Sequence, residues 1–128
     1  MNSAPVTAPP VLVVDDADPM RKLVGSVLRG AGFDVIEAAD GEAALEKASQ
    51  LGRLTAAVTD VCMPNRHGFS LAMQLRKQQP GLPMIFMSAF EVDHAAIGPD
   101  AKLLLKPFTP DQLLRAIRAL VGTPALQA

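Results

Sequence analysis

The sequence is poor in cysteine, in long apolar runs and in excess positive charge, and each shortage excludes a class of protein. Cys62 is the single cysteine among 128 residues, which excludes an internal disulfide and a cysteine-rich zinc site and favours a reducing cytoplasm. No apolar run approaches the roughly 20 residues that a transmembrane helix requires, so we expect no membrane contact. The 12 basic and 13 acidic residues give a formal net charge of -1, which disfavours nucleic acid as a partner.

The composition that remains is that of a folded domain. Hydrophobic residues make up 49% of the chain and charged residues 20%, which is typical of a globular protein with a buried core. We expect a flexible leader at residues 1–10, one domain at residues 11–122 and a flexible tail at residues 123–128. The leader lacks the charged and apolar regions of a signal peptide. The length leaves no room for a second domain, so we expect no attached output domain in this chain. The initial methionine favours a complete protein over a domain cut from a longer one.

Short apolar runs alternate with helical patterns along this domain. The runs at 11–14, 56–58, 84–87 and 103–105 predict strands covered on both faces, as in a parallel sheet. A fifth run at 33–36 has a polar interruption and suits an edge strand. The alternation predicts a doubly wound α/β domain with a parallel sheet.

The helices have readable start signals. Asp18 is the expected N-cap of a helix that begins at Pro19, and Asp40 begins the second helix. A third helix is expected at about 69–79, and a capping box at 109–112 begins the last one. The first helix has a predicted buried stripe, which consists of Met20, Leu23, Val24, Val27 and Leu28.

Reactive side chains follow directly after the apolar runs. Asp15 and Asp16 end the first strand, and Asp60 ends the third. Ser88 ends the fourth strand and Lys106 follows the fifth. Ligands of open parallel sheets bind at the carboxyl ends of the strands, so these groups should converge at one edge.

The chemistry that such a set supports is restricted. Crowded carboxylates repel one another, and Mg²⁺ relieves that repulsion because it takes one or two carboxylates together with waters and phosphate oxygens. Lys106 and the metal would neutralise an arriving phosphoryl group, and Ser88 could donate a hydrogen bond to it. A carboxylate is a competent nucleophile towards phosphorus, which makes Asp60 a candidate phosphoacceptor.

Four segments carry a family resemblance. Residues 11–16, residues 59–64 with Gly68, residues 87–89 and residues 106–108 together resemble the response-regulator receiver domain of bacterial two-component systems. The resemblance covers about residues 11–122. It implies five parallel strands in the flavodoxin-like order 2-1-3-4-5 and a cis peptide bond before Pro107.

The resemblance also implies a role for each site residue. Asp60 matches the phosphoacceptor, Asp16 a direct Mg²⁺ ligand, and Asp15 an acid that acts on the metal through water. The backbone carbonyl of Cys62 matches a third protein ligand. Ser88 and Lys106 match the hydroxyl and the lysine that stabilise the phosphoryl group. The implied partner is a histidine kinase or a histidine phosphotransfer protein. We expect it to dock on the loop after the fifth strand and on the first helix, around Met20, Leu23, Val24 and Val27.

Two departures from the family pattern concern signal output. Receivers usually carry an aromatic residue where this chain has Leu103, and the sequence contains no tyrosine or tryptophan. The segment between Ser88 and Lys106 is short and contains Gly98-Pro99, so we expect the fourth helix of the family fold to be short or missing. Both features are similar to receivers of hybrid histidine kinases, and they favour a protein that passes phosphate along in a phosphorelay.

Two other functions remain as alternatives. A receiver fold could serve as a phosphorylation-independent interaction module, although the intact set of site residues argues against it. A phosphohydrolase with an aspartyl-phosphate intermediate would need a second acid two residues after Asp60, where this sequence has Cys62. We therefore expect a phosphoacceptor and not a turnover enzyme.

Overall fold

The computed structural model describes residues 8–63, 67–93 and 97–122. Its central sheet contains five parallel strands: β1 Val11–Val14, β2 Val35–Ala38, β3 Ala56–Asp60, β4 Met84–Ser88 and β5 Ala101–Leu105. Their order is β2-β1-β3-β4-β5, with every neighbouring pair parallel. The predicted doubly wound fold is confirmed, and β2 is an edge strand as its polar interruption indicated. The calls of a flexible leader and tail fall mainly on residues 1–7 and 123–128, which lie outside the described residues.

Within the described ranges, four helices cover the two faces of the sheet: α1 Asp18–Gly30, α2 Gly41–Leu51, α3 Gly68–Gln78 and α4 Pro110–Val121. The side chains of β1 are buried on both faces, and alternate residues enter different cores. Val11 and Val13 pack in the core beneath α1 and α4, while Leu12 and Val14 pack in the core beneath α2 and α3. The buried centre holds the ends of β1 and β3 firmly in place.

The last strand corrects one expectation. The run at 103–105 was predicted to be covered on both faces, yet only Leu104 is buried. Leu103 is partly buried and Leu105 is 41% exposed. The physical reason is that β5 is the outer strand of the sheet, and α4 covers the face to which Leu104 contributes.

The segment between β4 and β5 agrees with the expected short or missing helix. Among its described residues, 89–93 and 98–100 are not helical and Ile97 is, while residues 94–96 lie outside the described residues. Arg76 of α3 holds the end of this segment, since its guanidinium donates to the carbonyl oxygens of Leu82 and Pro99, both at 3.1 Å. None of the helices in the described part of the chain has the length and apolarity that crossing a bilayer requires.

The start of α1 differs from the prediction. Ala17, not Asp18, occupies the N-cap, and no side chain caps the helix there. Asp18 instead lies in the first turn and forms an ion pair with Arg21. Within the predicted stripe, Val24 and Leu28 are buried but Leu23 is 51% exposed, because it points away from the sheet.

The caps of two other helices are confirmed. Asp40 accepts a hydrogen bond from the backbone N–H of Ala43 at 2.8 Å, and α2 begins at Gly41. At α4, the Thr109 hydroxyl accepts from the N–H of Gln112 at 3.1 Å, and the Gln112 side chain accepts from the N–H of Thr109 at 2.8 Å. The reciprocal bonds form the predicted capping box.

Thr109→Ala is expected to destabilise the protein by about 1 kcal/mol, because the backbone N–H of Gln112 loses its ordered partner and the capping box loses one of its two bonds. Urea denaturation followed by far-UV circular dichroism measures the change. Ser49→Ala, at an exposed position inside α2, is the matched control and should change the stability by less than about 0.5 kcal/mol. Equal stability of the Thr109 variant and the wild type would contradict the role of the cap.

Candidate functional site

Three carboxylates converge at the carboxyl edge of the sheet. Val14 of β1 lies beside Thr59 of β3, so the residues that follow them, Asp15 and Asp60, are neighbours. One carboxylate oxygen from each of Asp15, Asp16 and Asp60 lies within 4.8 Å of the others. Asp15 is fully buried and Asp60 is 8% exposed, whereas Asp16 is exposed. The cluster therefore opens to solvent on the side of Asp16.

Lys106 is the counter-charge in this cluster. Its ammonium nitrogen lies 3.4 Å from Oδ1 of Asp60 and 4.0 Å from Oδ2 of Asp15. The lysine follows β5, and its backbone N–H donates to the carbonyl of Ser88 at 2.7 Å. The Lys106–Pro107 peptide bond is cis, as the resemblance implied. One ammonium thus lies against two of the three clustered acids.

The Asp15 carboxyl group is only half satisfied. Its Oδ1 accepts a hydrogen bond from the N–H of Ala17 at 2.9 Å, while its buried Oδ2 accepts none. Burial raises the pKa of Asp15; the Ala17 N–H opposes the rise, and the charge of Asp60 adds to it. A buried carboxylate oxygen without a hydrogen-bond partner needs a cation or a water.

The donor set fits a hard divalent cation. All three clustered side chains offer carboxylate oxygens, which are the ligands that Mg²⁺ takes in proteins. Oδ2 of Asp15, which has no hydrogen bond, and the exposed carboxylate of Asp16 leave ligand atoms available. The site can therefore hold a metal ion next to Asp60.

The raised pKa of Asp15 predicts a pH dependence for the metal-free protein. The folded state keeps this proton at pH values above 3.8, where the unfolded chain has already released it. The stability that the protonated Asp15 contributes is therefore fully present below pH 3.8 and is lost as the pH rises through the raised pKa. Urea denaturation in EDTA should show this decline, and Asp15→Asn should flatten it. Asp34→Asn, an exposed control just before β2, should leave the slope unchanged. An unaltered slope in the Asp15 variant would count against burial as the cause.

Ser88 lies at the same edge of the sheet, and its hydroxyl is bonded to the backbone of Phe90. It is almost fully buried at the end of β4. Its hydroxyl donates to the carbonyl of Phe90 at 2.7 Å and accepts from the N–H of Phe90 at 2.9 Å. The hydroxyl would have to leave these bonds to reach a group on Asp60.

Gly68 makes a close approach to the backbone of Asp60. Its N–H donates to the carbonyl of Val61 at 2.8 Å. A Cβ atom at this position would overlap the carbonyl oxygen of Asp60 and lie 3.0 Å from the Cα of Val61. The first turn of α3 thus packs directly on the residue that ends β3.

Two residues of the loop after β3 lie close to the site in the sequence. Cys62 is exposed, and the proposed metal ligand there is its carbonyl, which stays a prediction. His67 is the N-cap of α3, where its Nδ1 accepts from the N–H of Phe69 at 3.2 Å. Residues 64–66, which include the proline of the motif, lie outside the described residues.

Sequence reasoning did not single out Arg21, although the structure places it against the site. Its guanidinium donates to the backbone carbonyl of Asp15 at 2.9 Å and pairs with Asp18 and Glu37. The spacing of six residues from Asp15 is the available signal. That spacing indicates a contact only once the structure shows that the first turn of α1 lies over the loop.

Comparison with known proteins agrees with this geometry. The family model described as the response regulator receiver domain matches residues 11–118. The sensor kinase CckA of Brucella abortus is 37% identical over 116 residues, which are 87% of this chain and 12% of that protein. The chain spans about half the length, or less, of the curated relatives that head the comparison.

Solved structures of receiver domains and response regulators have the same fold. The receiver domain of the hybrid histidine kinase CckA is 30% identical, with a TM-score of 0.77 over 87% of this chain and 97% of that one. The response regulator TrrA of Thermotoga maritima, solved with Mg²⁺ and BeF, is 27% identical, with a TM-score of 0.77 over 88% of this chain and 99% of that one.

The chain belongs to the response-regulator receiver domain family of two-component systems. Receiver domains are signalling modules that interact with histidine kinases or phosphotransfer proteins, and they are not turnover enzymes. The family resemblance seen in the sequence is therefore confirmed.

Proposed function

We propose that this domain accepts a phosphoryl group on Asp60 from a histidine kinase or a histidine phosphotransfer protein, in a two-component pathway or a phosphorelay. The observation that carries the proposal is the convergence of Asp60 with Asp15, Asp16 and Lys106 at one edge of the sheet. Family membership supports it, since receiver domains interact with histidine kinases or phosphotransfer proteins.

In the proposed transfer, a carboxylate oxygen of Asp60 attacks phosphorus in line with the nitrogen of the donor's phosphohistidine. The P–N bond breaks as the acyl phosphate P–O bond forms, and the imidazole leaves with the electron pair. Lys106 already lies 3.4 Å from Asp60 and would pair with a phosphoryl oxygen. Ser88 would exchange its bonds to Phe90 for one to the phosphoryl group.

Mg²⁺ is the proposed cofactor. Asp15, Asp16 and Asp60 would hold it, with the backbone carbonyl of Cys62 as a further ligand. When bound, the ion neutralises negative charge on the phosphoryl oxygens as they approach the acids. The similar protein TrrA was solved with Mg²⁺ and BeF, which supports this choice.

The proposed partner surface is the outer face of α1. Leu23 is 51% exposed, and Met20 and Val27 are partly exposed beside it. Val24, which the sequence suggested for this surface, is fully buried and belongs to the core. An apolar patch next to the site suits a helical partner that presents a histidine.

Intact-mass spectrometry after incubation with acetyl phosphate and MgCl₂ tests the proposed function. We expect one added phosphoryl group, which fails to form when EDTA replaces the metal. Fragmentation of a borohydride-reduced sample should place the modification on Asp60. Absence of an adduct with wild-type protein would overturn the proposal in favour of a phosphorylation-independent interaction module, and continuous catalytic release of phosphate would favour a phosphohydrolase.

A further inference from the structure

Arg21 is the least exposed cation on α1, and it touches no carboxylate of the proposed metal site. Its side chain is 11% exposed, and its guanidinium holds three groups: the carbonyl oxygen of Asp15, the carboxylate of Asp18 and the carboxylate of Glu37. A long charged side chain loses rotamer freedom when it is held in this way. The three contacts therefore fix the Arg21 side chain against the loop between β1 and α1.

The contact with Asp15 is to the backbone, at the peptide that joins the two acids. That carbonyl belongs to the planar unit that connects Asp15 to Asp16, and Arg21 donates to it at 2.9 Å. Two further hydrogen bonds hold Asp15 itself. The N–H of Ala17 donates to Oδ1 of Asp15, and the N–H of Asp15 donates to the carbonyl of Ala38. Fixing the plane of this peptide fixes the direction in which Asp16 leaves the strand.

Glu37 of β2 holds Arg21 from the opposite side. Its Oε1 lies 3.4 Å from Nε of Arg21, and its Oε2 accepts from Arg29 at 3.0 Å. Gly25 makes room for this carboxylate, because a Cβ atom there would lie 3.1 Å from Oε2. The edge strand and α1 thus form a rigid support behind the loop between β1 and α1.

We propose that Arg21 is a positioning residue for the metal site, and that it sets the Mg²⁺ affinity by orienting the peptide between Asp15 and Asp16, with Glu37 as its anchor. The proposal rests on the proposed function, since it assumes that these acids bind the metal. Arg21 acts through the backbone, because its guanidinium bonds the Asp15 carbonyl and not the Asp15 carboxylate. Outer groups that orient metal ligands affect affinity strongly in other metal sites.

The test is a titration of the ¹⁵N-labelled protein with MgCl₂, followed by amide chemical shifts. We expect Arg21→Met to weaken Mg²⁺ binding about 10-fold or more. Arg21→Lys should weaken it by a smaller factor, about 3-fold, because one ammonium cannot hold the carbonyl and both carboxylates together. Arg118→Met, an exposed arginine in the last turn of α4, is the matched control and should bind as the wild type does.

A double-mutant cycle separates positioning from general destabilisation. Glu37→Gln should weaken Mg²⁺ binding in the wild-type background and leave it unchanged in the Arg21→Met background, since Glu37 acts through Arg21. The urea stability of each variant in EDTA is measured alongside. A variant that loses stability but binds Mg²⁺ with wild-type affinity would show a merely structural role and overturn the proposal.

The remaining outcomes distinguish failure of the positioning role from failure of the proposed metal site. If Arg21→Met does not fold, Arg21→Lys carries the test, and wild-type affinity in that variant overturns the positioning role. If the wild type binds Mg²⁺ and both Arg21 variants bind it equally well, only this inference fails. If the wild type itself binds no Mg²⁺, the proposed metal site fails and the positioning role fails with it.

Discussion

Asp60→Asn is expected to abolish the phosphoryl adduct completely while leaving the fold intact. An amide is not a competent nucleophile towards phosphorus, and the change also removes one of the three clustered carboxylates. Asp15 is not expected to substitute, because its carboxyl group is fully buried. Intact mass after incubation with acetyl phosphate and MgCl₂ measures the loss.

The same substitution should stabilise the metal-free protein. The charge of Asp60 raises the pKa of Asp15, so removing that charge lowers the cost of ionising the buried neighbour. Loss of the contact with Lys106 at 3.4 Å opposes the gain, and the net increase is expected to be up to about 1 kcal/mol in EDTA.

Asp34→Asn is the control for both measurements, since it removes an exposed acid just before β2. That variant should form the adduct in wild-type yield and keep wild-type stability. An adduct on Asp60→Asn in comparable yield would show that another group accepts the phosphoryl, and the assignment of Asp60 would be wrong.

The convergence of the site could be predicted because it depends on a rule of topology. Parallel strands end at one edge of a sheet, so the residues that end β3 and β4 and the residue that follows β1 must meet there. Asp15 and Asp60 illustrate the rule, since their predecessors are paired in register. The capping box of α4 was equally accessible, because its signal is contained in four consecutive residues.

The errors concern features that local patterns do not determine. Leu105 is apolar and follows two leucines, but its burial depends on what lies over the outer strand. Asp18 has the residue type of an N-cap, yet its carboxylate pairs with Arg21 inside the first turn. The support behind the site requires Arg21 and Glu37, which lie on different elements and meet only after β2 and α1 have packed.

The close packing of Gly68 on Asp60 predicts the largest loss of stability. Gly68→Ala places a methyl group against the Asp60 carbonyl oxygen and the Val61 Cα, both of which belong to backbone that cannot rotate away. We expect a loss of about 1–3 kcal/mol, as for other overpacked positions. The strain falls on the residue that carries the proposed phosphoryl group, so adduct formation should also slow.

Gly30→Ala is the matched control for this prediction. Both glycines end or begin a helix, and helix propensity alone favours alanine over glycine by up to about 1 kcal/mol. A Cβ atom at Gly30 meets nothing within 4 Å, so that variant should be as stable as the wild type or more stable. Far-UV circular dichroism is the probe, because the chain has no tryptophan or tyrosine. A gain of stability in both variants would show that α3 shifts away from Asp60 to accommodate the methyl group. That result would contradict the role of this contact in holding Asp60 in place.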